Sequence, residues 1–382
     1  MNEQIFRERI ARLRAALLAP LGLDLLLAYS DDPLNAGAVR YLTDFDVYAM
    51  YALVMVPPQG DVALAFGLHH SAYLVRVKEA ANADYYLGTY KPGELCRTLL
   101  AESGASRAPQ IGLIGGRDLF QEIDADIRKQ LPGARFVDID GEFWSSVHGE
   151  SAQSRSDTVS RLIRSACIAV ESIDVAQKHW QGCHSASELA AQVGSAARRR
   201  GADILNREMV QVSLATGIPL PAYLTRSHSQ SPKPSGALAI EVRAAYRGIN
   251  SVVGRTFVAD TRRSKDILGA ARERHRETCG LLKSGCNVDG IVEAAAHDGA
   301  LGNAATETLE LGHGTGFSVR MQPTLRTGTD IKLQDGSAFV VRTKMREPEL
   351  GVIHFADTVL VADTATEIIT DRTEQHARSI EN

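Results

Sequence analysis

Apolar residues in the first 150 positions switch between two spacings. They recur at helical spacing over residues 3–19 and then form a run of strand length at Leu23–Tyr29. Tyr51–Val56 and Val62–Phe66 are two further runs of this kind, and the Pro-Pro-Gln-Gly segment between them is typical of a turn. The chain is therefore predicted to begin with a helix, a strand and a β-hairpin.

The same alternation continues along the chain. Helices are predicted at Ser71–Ala81 and Asp118–Gln130, and strands at Ile111–Ile114 and Arg135–Val137. Strands that alternate with helices predict a layered α/β domain over residues 1–150.

A polar, Ser-rich tract at residues 145–157 has no periodicity and is predicted to link this domain to a second one, residues 151–382. Helices are predicted beyond it at Thr158–Trp180, Ala186–Gly201, Leu268–Leu282 and Asn287–Leu301. Strands are predicted at Glu208–Leu214, Ala237–Val242, Gly254–Val258, Ser337–Thr343 and Thr358–Ala362. The fold class of the whole chain is therefore mixed α/β (α+β).

Composition narrows the class of protein. The chain has 382 residues, of which 44% are apolar and 23% charged, and its formal net charge is −4. At roughly 150 residues per domain, this length indicates two domains. The negative charge argues against a nucleic-acid or membrane-surface partner, which would favour a basic patch. The basic run at residues 198–200 is typical of a solvated helix end.

Two features indicate the compartment. Residues 1–19 carry charges throughout and lack the apolar core of a secretory signal, and no apolar run reaches the roughly 18–20 residues of a membrane helix. The five cysteines form no CxxC pair, which is typical of free thiols in a reducing environment. A cytoplasmic protein is expected.

Several stretches carry the motifs of one known family in order. They are Arg40–Phe45, taken as a strand, and then Arg155–Ala166, Gly182–Gly201, Leu282–Ala295, Leu311–Phe317 with its G-H-G loop, Leu333–Arg342 and Asp357–Thr370. The chain resembles the creatinase/aminopeptidase (pita-bread) family, which includes prolidase, Xaa-Pro aminopeptidase and creatinase. The resemblance implies a creatinase-like N-terminal α/β domain, a pita-bread domain after it, and a homodimer.

The family's metal centre is altered in this sequence. The family binds two divalent cations through Asp, Asp, His, Glu and Glu, and the resemblance places Glu241, Val252, His313, Arg342 and Ala356 at these positions. Valine and alanine offer no donor atom, and a guanidinium repels cations. Shifting the alignment so that His354 or Asp357 takes a ligand position does not restore the five metal ligands. We expect neither a metal nor another cofactor.

Creatinase cleaves a C–N bond without metal, and the resemblance suggests how this chain would do so. His228, in the loop Tyr223–Pro232, matches the histidine that serves creatinase as general acid and base. His228, Glu241 and His313 are the candidate catalytic residues. The carboxylates that bind the substrate cation in creatinase would fall at Gly254 and Arg342, so a guanidinium substrate is disfavoured.

Positive side chains replace negative ones around this site. Arg342 and Lys344 share one face of a strand, as do Glu241 and Arg243, because side chains alternate along a strand. Such a pocket suits the carboxylate of an amino-acid-like ligand. The remaining candidate substrate-binding residues are Arg320, His354 and Tyr48.

The predicted function is a metal-independent hydrolase that cleaves a C–N bond in a small, carboxylate-bearing substrate, in the manner of creatinase or ectoine hydrolase. One alternative is a non-catalytic pseudo-peptidase that binds other molecules. Another is a metal-dependent aminopeptidase or prolidase with atypical ligands.

Each candidate residue also has a structural interpretation. Arg342 would be an ion-pair partner for Glu241, His313 would persist through the packing of its turn, and His228 would be an exposed loop residue. Tyr48 would belong to a domain rim.

Overall fold

The computed structural model describes most of the chain. The described residues are 3–32, 36–47, 50–68, 70–105, 108–147, 152–203, 210–214, 220–221, 237–258, 261–297, 310–348, 350–362 and 366–371. They form two compact units. The first comprises Met1–Ser156 with Phe317–Val319, and the second comprises Asp157–Gly316 with Arg320–Asn382.

The first unit is built on one mixed sheet. Its strands are β1 (Leu25–Ser30), β2 (Ala52–Val56), β3 (Ala63–Phe66), β4 (Tyr85–Gly88), β5 (Gln110–Ile114) and β6 (Arg135–Asp138). Its helices are α1 (Glu3–Leu13), α2 (Ala19–Leu21), α3 (Gly37–Thr43), α4 (Ser71–Ala80), α5 (Gly93–Glu102), α6 (Gln121–Gln130) and α7 (Asp140–Val147).

The strand order in this sheet is β4-β3-β2-β1-β5-β6. β1 is central and wholly buried, as expected for an apolar run covered on both faces. It pairs antiparallel with β2 and parallel with β5. A core that includes Leu25, Met55 and Leu99 fills the space between the sheet and helices α5 and α6.

The second unit is built on a larger, antiparallel sheet. Its strands are β7 (Val210–Leu214), β8 (Leu220–Pro221), β9 (Ala237–Tyr246), β10 (Ile249–Val258), β11 (Glu310–Gly314), β12 (Met321–Arg326), β13 (Ala338–Glu347), β14 (Gly351–Leu360) and β15 (Glu367–Ile368). Its helices are α8 (Ala152–His179), which belongs to this unit from Asp157 onward, α9 (Ala186–Arg199), α10 (Arg262–Gly280) and α11 (Val288–His297). Along the main path the order is β12-β11-β13-β14-β10-β9-β7-β8, and β15 pairs with β14.

Helices cover one face of this sheet, and we call it the helix face. Leu238, Ile240 and Val242 of β9 pack into the same core as Leu189 and Val193 of α9. Farther along the sheet, residues of β13 and β14 pack with α11 in a second core. Because successive side chains of a strand point to opposite sides, Glu241 and Arg342 lie on the other face, which we call the open face.

The structure confirms the predicted strand β1, the hairpin β2–β3 and the strands at β9 and β13. The strand predicted at Thr358–Ala362 overlaps only the end of β14, which begins at Gly351. Other predictions were wrong. The tract predicted as a linker is helical from Ala152 onward, although its sequence is polar and shows no helical periodicity. Arg40–Phe45 contains the end of helix α3, not a strand, because every residue of α3 is buried and its pattern shows no polar face.

The G-H-G segment was also placed differently from the prediction. It forms the end of strand β11 rather than a loop, where Gly312 passes so close to the Val340 carbonyl that a side chain would collide with it. The cysteines are free thiols. None of the helices in the described part of the chain has the length and apolar character needed to cross a bilayer.

Candidate active site

Four of the central strands bring one residue each into a row across the sheet. Glu241 of β9 is paired with Gly254 of β10, Gly254 with Ala356 of β14, and Ala356 with Arg342 of β13. Three positions that the resemblance assigned to metal ligands are therefore neighbours in this row. The register explains why residues far apart in sequence meet on the open face.

Arg342 holds Glu241 in a two-pronged ion pair. The Arg342 Nε donates to Glu241 Oε2 at 2.8 Å, and the Nη2 donates to Oε1 at 2.9 Å. The third nitrogen, Nη1, lies 2.8 Å from His313 Nε2. A guanidinium only donates, so the ring must accept at Nε2 and carry its proton on Nδ1, which lies 2.9 Å from the Gly314 carbonyl oxygen. His313 is thus a neutral imidazole with both nitrogens engaged.

His354 approaches Glu241 from the other side. Its Nε2 lies 3.2 Å from Glu241 Oε2, and its backbone N–H donates to Thr256 Oγ1 at 2.8 Å. Only 1% of the His354 surface is exposed, and its Nδ1 has no hydrogen-bond partner among the described residues. This orphaned nitrogen is the acceptor of a neutral ring that donates through Nε2.

Gly254 makes this contact possible. A Cβ at this position would lie 2.8 Å from both His354 Nε2 and the Ala356 Cβ. The ring of His354 therefore crosses strand β10 in the space that the missing side chain leaves. The sequence marked Gly254 only as the place of an absent carboxylate, and its role as a gap was not predicted.

The two inert ligand positions are packed against each other. Val252 and Ala356 form a small, fully buried apolar cluster with Val340. This cluster borders the row that carries Glu241 and Arg342. An apolar border strengthens charge interactions nearby because it excludes water.

The donor set does not fit two divalent cations. Such a centre needs several anionic ligands, whereas this site offers one carboxylate that already neutralises a guanidinium. No group of three or more His, Cys, Asp or Glu side chains that could hold a metal ion occurs within the described ranges.

The remaining predicted residues lie at different distances from this cluster. Arg243 Nε lies 3.4 Å from Glu241 Oε1. Lys344 pairs with His354 in the register of β13 and β14 and so shares the open face. Arg320 is largely exposed and donates to Glu310 at 2.9 Å. His228 and Tyr48 lie outside the described residues. We call Glu241, Arg243, His313, Arg342 and His354 the Arg342 cluster.

Electrostatics fix the charge states of the cluster. Burial raises the pKa of Glu241, but the guanidinium of Arg342 outweighs it and holds the pKa well below its usual range. Burial and the Arg342 charge lower the pKa of His313 to about 3. Burial also lowers the pKa of His354 and of Lys344. The cluster therefore contains an ionised Glu241–Arg342 pair flanked by two neutral imidazoles, with the guanidinium of Arg243 beside Glu241.

A second polar cluster lies directly behind the first, on the helix face. Arg255 donates to both carboxylate oxygens of Asp357, at 3.1 and 2.9 Å, and His275 Nε2 of α10 lies 3.0 Å from Asp357 Oδ2. His275 Nδ1 lies 2.9 Å from Thr343 Oγ1, and Thr370 also donates to Asp357. We call these five residues the Asp357 cluster. It ties strands β10, β13 and β14 to helix α10.

The Asp357 cluster was not predicted. The sequence shows Arg255 and Asp357 each one residue after a position assigned to the site, namely Gly254 and Ala356. Alternation along a strand was therefore a signal that these two side chains point away from the site. The contribution of His275 depends on how α10 packs against the sheet, so the sequence around His275 does not predict it.

Comparisons with known proteins identify what the chain is similar to. The model of metallopeptidase family M24 matches residues 159–363. No curated protein matches the chain by sequence. Solved structures are similar to it in fold. The prolidase from Pyrococcus horikoshii OT3 is 17% identical over 95% of this chain and 98% of its own, with a TM-score of 0.76.

Two further structures are similar over nearly their full length. The Xaa-Pro dipeptidase from Bacillus anthracis is 18% identical over 96% of this chain and 97% of its own, with a TM-score of 0.73. The N-terminal domain of the FACT complex subunit SPT16 from Eremothecium gossypii is 15% identical over 99% and 98%, with a TM-score of 0.70. At such identities the likeness shows the fold, and it confirms the predicted fold class.

Proposed function

We propose that this chain, which belongs to metallopeptidase family M24, is a hydrolase that works without bound metal and cleaves a C–N bond in a small, carboxylate-bearing substrate. One observation carries the proposal: the Arg342 guanidinium lies between Glu241 and His313, the two groups that remain of the family's ligand set. Membership in this family supports a hydrolase in general. The finer assignment rests on the residues of the Arg342 cluster.

The charge of the open face supports an anionic substrate. Arg342 and Lys344 lie two residues apart on one strand face, and Lys344 has no carboxylate within ion-pair distance among the residues that the structure describes. Arginine binds carboxylates through two parallel hydrogen bonds, as Arg342 already does with Glu241. A substrate carboxylate would find the same geometry.

Hydrolysis requires that water add to the carbon, that the C–N bond break, and that a proton reach the leaving nitrogen. We assign these proton movements to His313, with His228 as the other candidate, and the orientation of the histidine or the attack on carbon to Glu241. His313 Nε2 accepts a hydrogen bond from Arg342, so it takes a proton only when Arg342 has turned to the substrate.

The test is turnover by purified protein after treatment with a chelator, on a panel of acylated and cyclic amino acids. We expect activity to survive chelation, and to fall by about a hundredfold or more in Glu241→Gln and in His313→Ala. Glu94→Gln, which removes an exposed carboxylate from its pair with Arg97, is the control and should keep its activity.

Two results would contradict the assignment. Full activity in both Glu241→Gln and His313→Ala would remove these residues from the chemistry. Activity that disappears with chelator and returns with added Mn²⁺ would make the chain a metal-dependent enzyme.

A non-catalytic binding module is the second candidate, and one observation favours it. Both nitrogens of His313 are engaged and Glu241 is held by Arg342, so the site as it stands presents no free base. Binding of small carboxylates without turnover of any member of the panel would select this candidate.

We also propose a homodimer, as the family resemblance implies. Sedimentation velocity at micromolar concentration should give the mass of two chains, and a single species at the monomer mass would contradict this.

A further inference from the structure

Glu241 occupies the two donors of Arg342 that a ligand carboxylate would need. The Nε and Nη2 of Arg342 form parallel bonds to the two Glu241 oxygens, at 2.8 and 2.9 Å. This is the fork geometry by which arginine recognises carboxylates in general. The protein therefore presents its own carboxylate to Arg342 in the position of a ligand.

The two partners differ in their access to solvent. The Glu241 side chain is 3% exposed, whereas the Arg342 side chain is 17% exposed. The Arg342 side chain therefore presents more surface than the Glu241 side chain to a molecule that arrives from solvent. Lys344 adds positive charge on the same face of β13.

Glu241 also has partners to which it can turn. His354 Nε2 lies 3.2 Å from Oε2, and Arg243 Nε lies 3.4 Å from Oε1. A buried carboxylate that loses its only partner is strongly destabilised, but these two contacts would remain if Arg342 were drawn away. Exchange of the Arg342 partner is thus possible without leaving a buried charge alone.

We propose that Glu241 acts as an internal competitor for Arg342, so that the site is closed by its own carboxylate until a small monocarboxylate displaces Glu241 from the guanidinium. Arg342 swings toward the ligand, whose carboxylate takes Nε and Nη2, and Glu241 keeps its contacts with His354 and Arg243. The same movement withdraws Nη1 and releases His313 Nε2. This inference deepens the proposed function, since it describes how a substrate of that class gains access to the site.

If the ligand displaces Glu241, substitution of Glu241 should change ligand affinity in the opposite direction to substitution of a residue that binds the ligand. Removing the Glu241 charge should strengthen ligand binding, because the ligand no longer competes with an internal anion. A closed state that dominates the open one by ten to one hundred lowers apparent affinity by about the same factor.

The experiment is calorimetric titration with N-acetylglycine and, as a neutral counterpart, N-acetylglycinamide. Glu241→Gln should bind N-acetylglycine about tenfold or more tightly than the unaltered protein, while the neutral amide gains nothing. Glu94→Gln, which removes an exposed carboxylate from its pair with Arg97, should bind as the unaltered protein does. Arg342→Gln should lose N-acetylglycine binding, both alone and combined with Glu241→Gln. Equal or weaker binding by Glu241→Gln would overturn the inference.

Glu241→Asp provides a second measurement if Glu241→Gln does not fold. Its carboxylate is retracted by one methylene, so the pair with Arg342 is loosened and affinity for N-acetylglycine should again rise; no gain would count against the inference. Turnover is measured separately on the panel described above. If the Glu241 variant binds more tightly but the protein turns over no compound, the inference stands and the hydrolase proposal fails. If the protein turns over a compound but the Glu241 variant does not bind more tightly, the hydrolase proposal stands and the inference fails.

Discussion

The substitution of arginine at position 342 determines most of the chemistry of this site. A guanidinium there neutralises Glu241, keeps His313 uncharged and supplies a permanent positive charge on the open face. An isolated buried carboxylate at 241 would be costly, and Arg342 removes that cost by pairing with it. The same residue therefore serves the stability of the site and its choice of ligand.

His313 provides a test at this scale. Because its pKa is lowered to about 3 by burial and by the Arg342 charge, its ring should stay neutral and protonated on Nδ1 throughout pH 5–8. Histidine-selective ¹⁵N and ¹³C NMR would measure this, and the urea-unfolded chain, in which histidine titrates near 6.5, is the reference. In Arg342→Gln the pKa should rise, since one of its two main causes is gone. A His313 resonance that titrates near pH 6.5 in the folded protein would refute the described geometry.

At the scale of elements, strands β10, β13 and β14 each line the site on one face of the sheet and contribute to the Asp357 cluster on the other. Gly254, Arg342 and Ala356 face the site, and their successors Arg255, Thr343 and Asp357 face helix α10. The register that aligns the Arg342 cluster is therefore fixed from behind by the Asp357 cluster. A one-residue slip would exchange the two faces and bury both sets of charges wrongly.

The Asp357 cluster predicts a dependence of stability on pH. Burial raises the pKa of Asp357, but Arg255 and His275 outweigh this and hold the pKa of its carboxyl well below the usual value. The unfolded state thus binds the proton more readily, so the stabilisation is complete above about pH 4 and is lost as pH falls through the folded-state pKa. Asp357→Asn should lower the free energy of unfolding at pH 7 by about 3 kcal/mol.

Urea unfolding followed by circular dichroism at several pH values measures this effect. The difference between Asp357→Asn and the unaltered protein should shrink as the pH is lowered from about 4 to 2. Glu310→Gln, which removes an exposed pair, should change stability by less than about 1 kcal/mol at any pH. A difference for Asp357→Asn that stays constant with pH would show that the charge of Asp357 is not what stabilises the fold.

The helices and strands also show how much of the structure can be predicted from the sequence. Strands such as β9 and β13 were predicted because their apolar residues form runs of the right length, and the likeness to known motifs assigned Glu241 and Arg342 to one site. The contact of His354 with Glu241 was not predicted, because it depends on a gap at Gly254 that only the packing of three strands creates. The helical start of α8 was missed because its first residues are polar.

At the scale of the whole molecule, the chain keeps the fold of metallopeptidase family M24 and changes the groups at its centre. Val252, Val340 and Ala356 are in mutual contact, so carboxylates at 252 and 356 would converge on the space beside His313 and position 342. The scaffold is therefore suited to a metal centre even though its present side chains are not.

Restoring the ligands tests this statement. The variant Val252→Asp, Arg342→Glu, Ala356→Glu would join three carboxylates to Glu241 and His313, a set of the kind that divalent cations favour. Without metal it should be less stable than the unaltered protein, because the carboxylates are buried and repel one another. Added Mn²⁺ should raise its melting temperature and bind measurably in calorimetry.

Val252→Asp alone is the matched control and should not gain Mn²⁺ binding, since Arg342 still repels the ion. Failure of the triple variant to bind Mn²⁺, although folded, would mean that the sheet no longer brings these positions together in the way a metal requires.

Neighbouring residues on β10, β13 and β14 have different roles, and this affects how the activity of such a protein can change during evolution. A substitution at 342 or 356 alters the chemistry of the open face, while Thr343 and Asp357 keep the strands attached to α10. New activities can then arise through single substitutions on the open face, while the contacts on the helix face keep the fold intact.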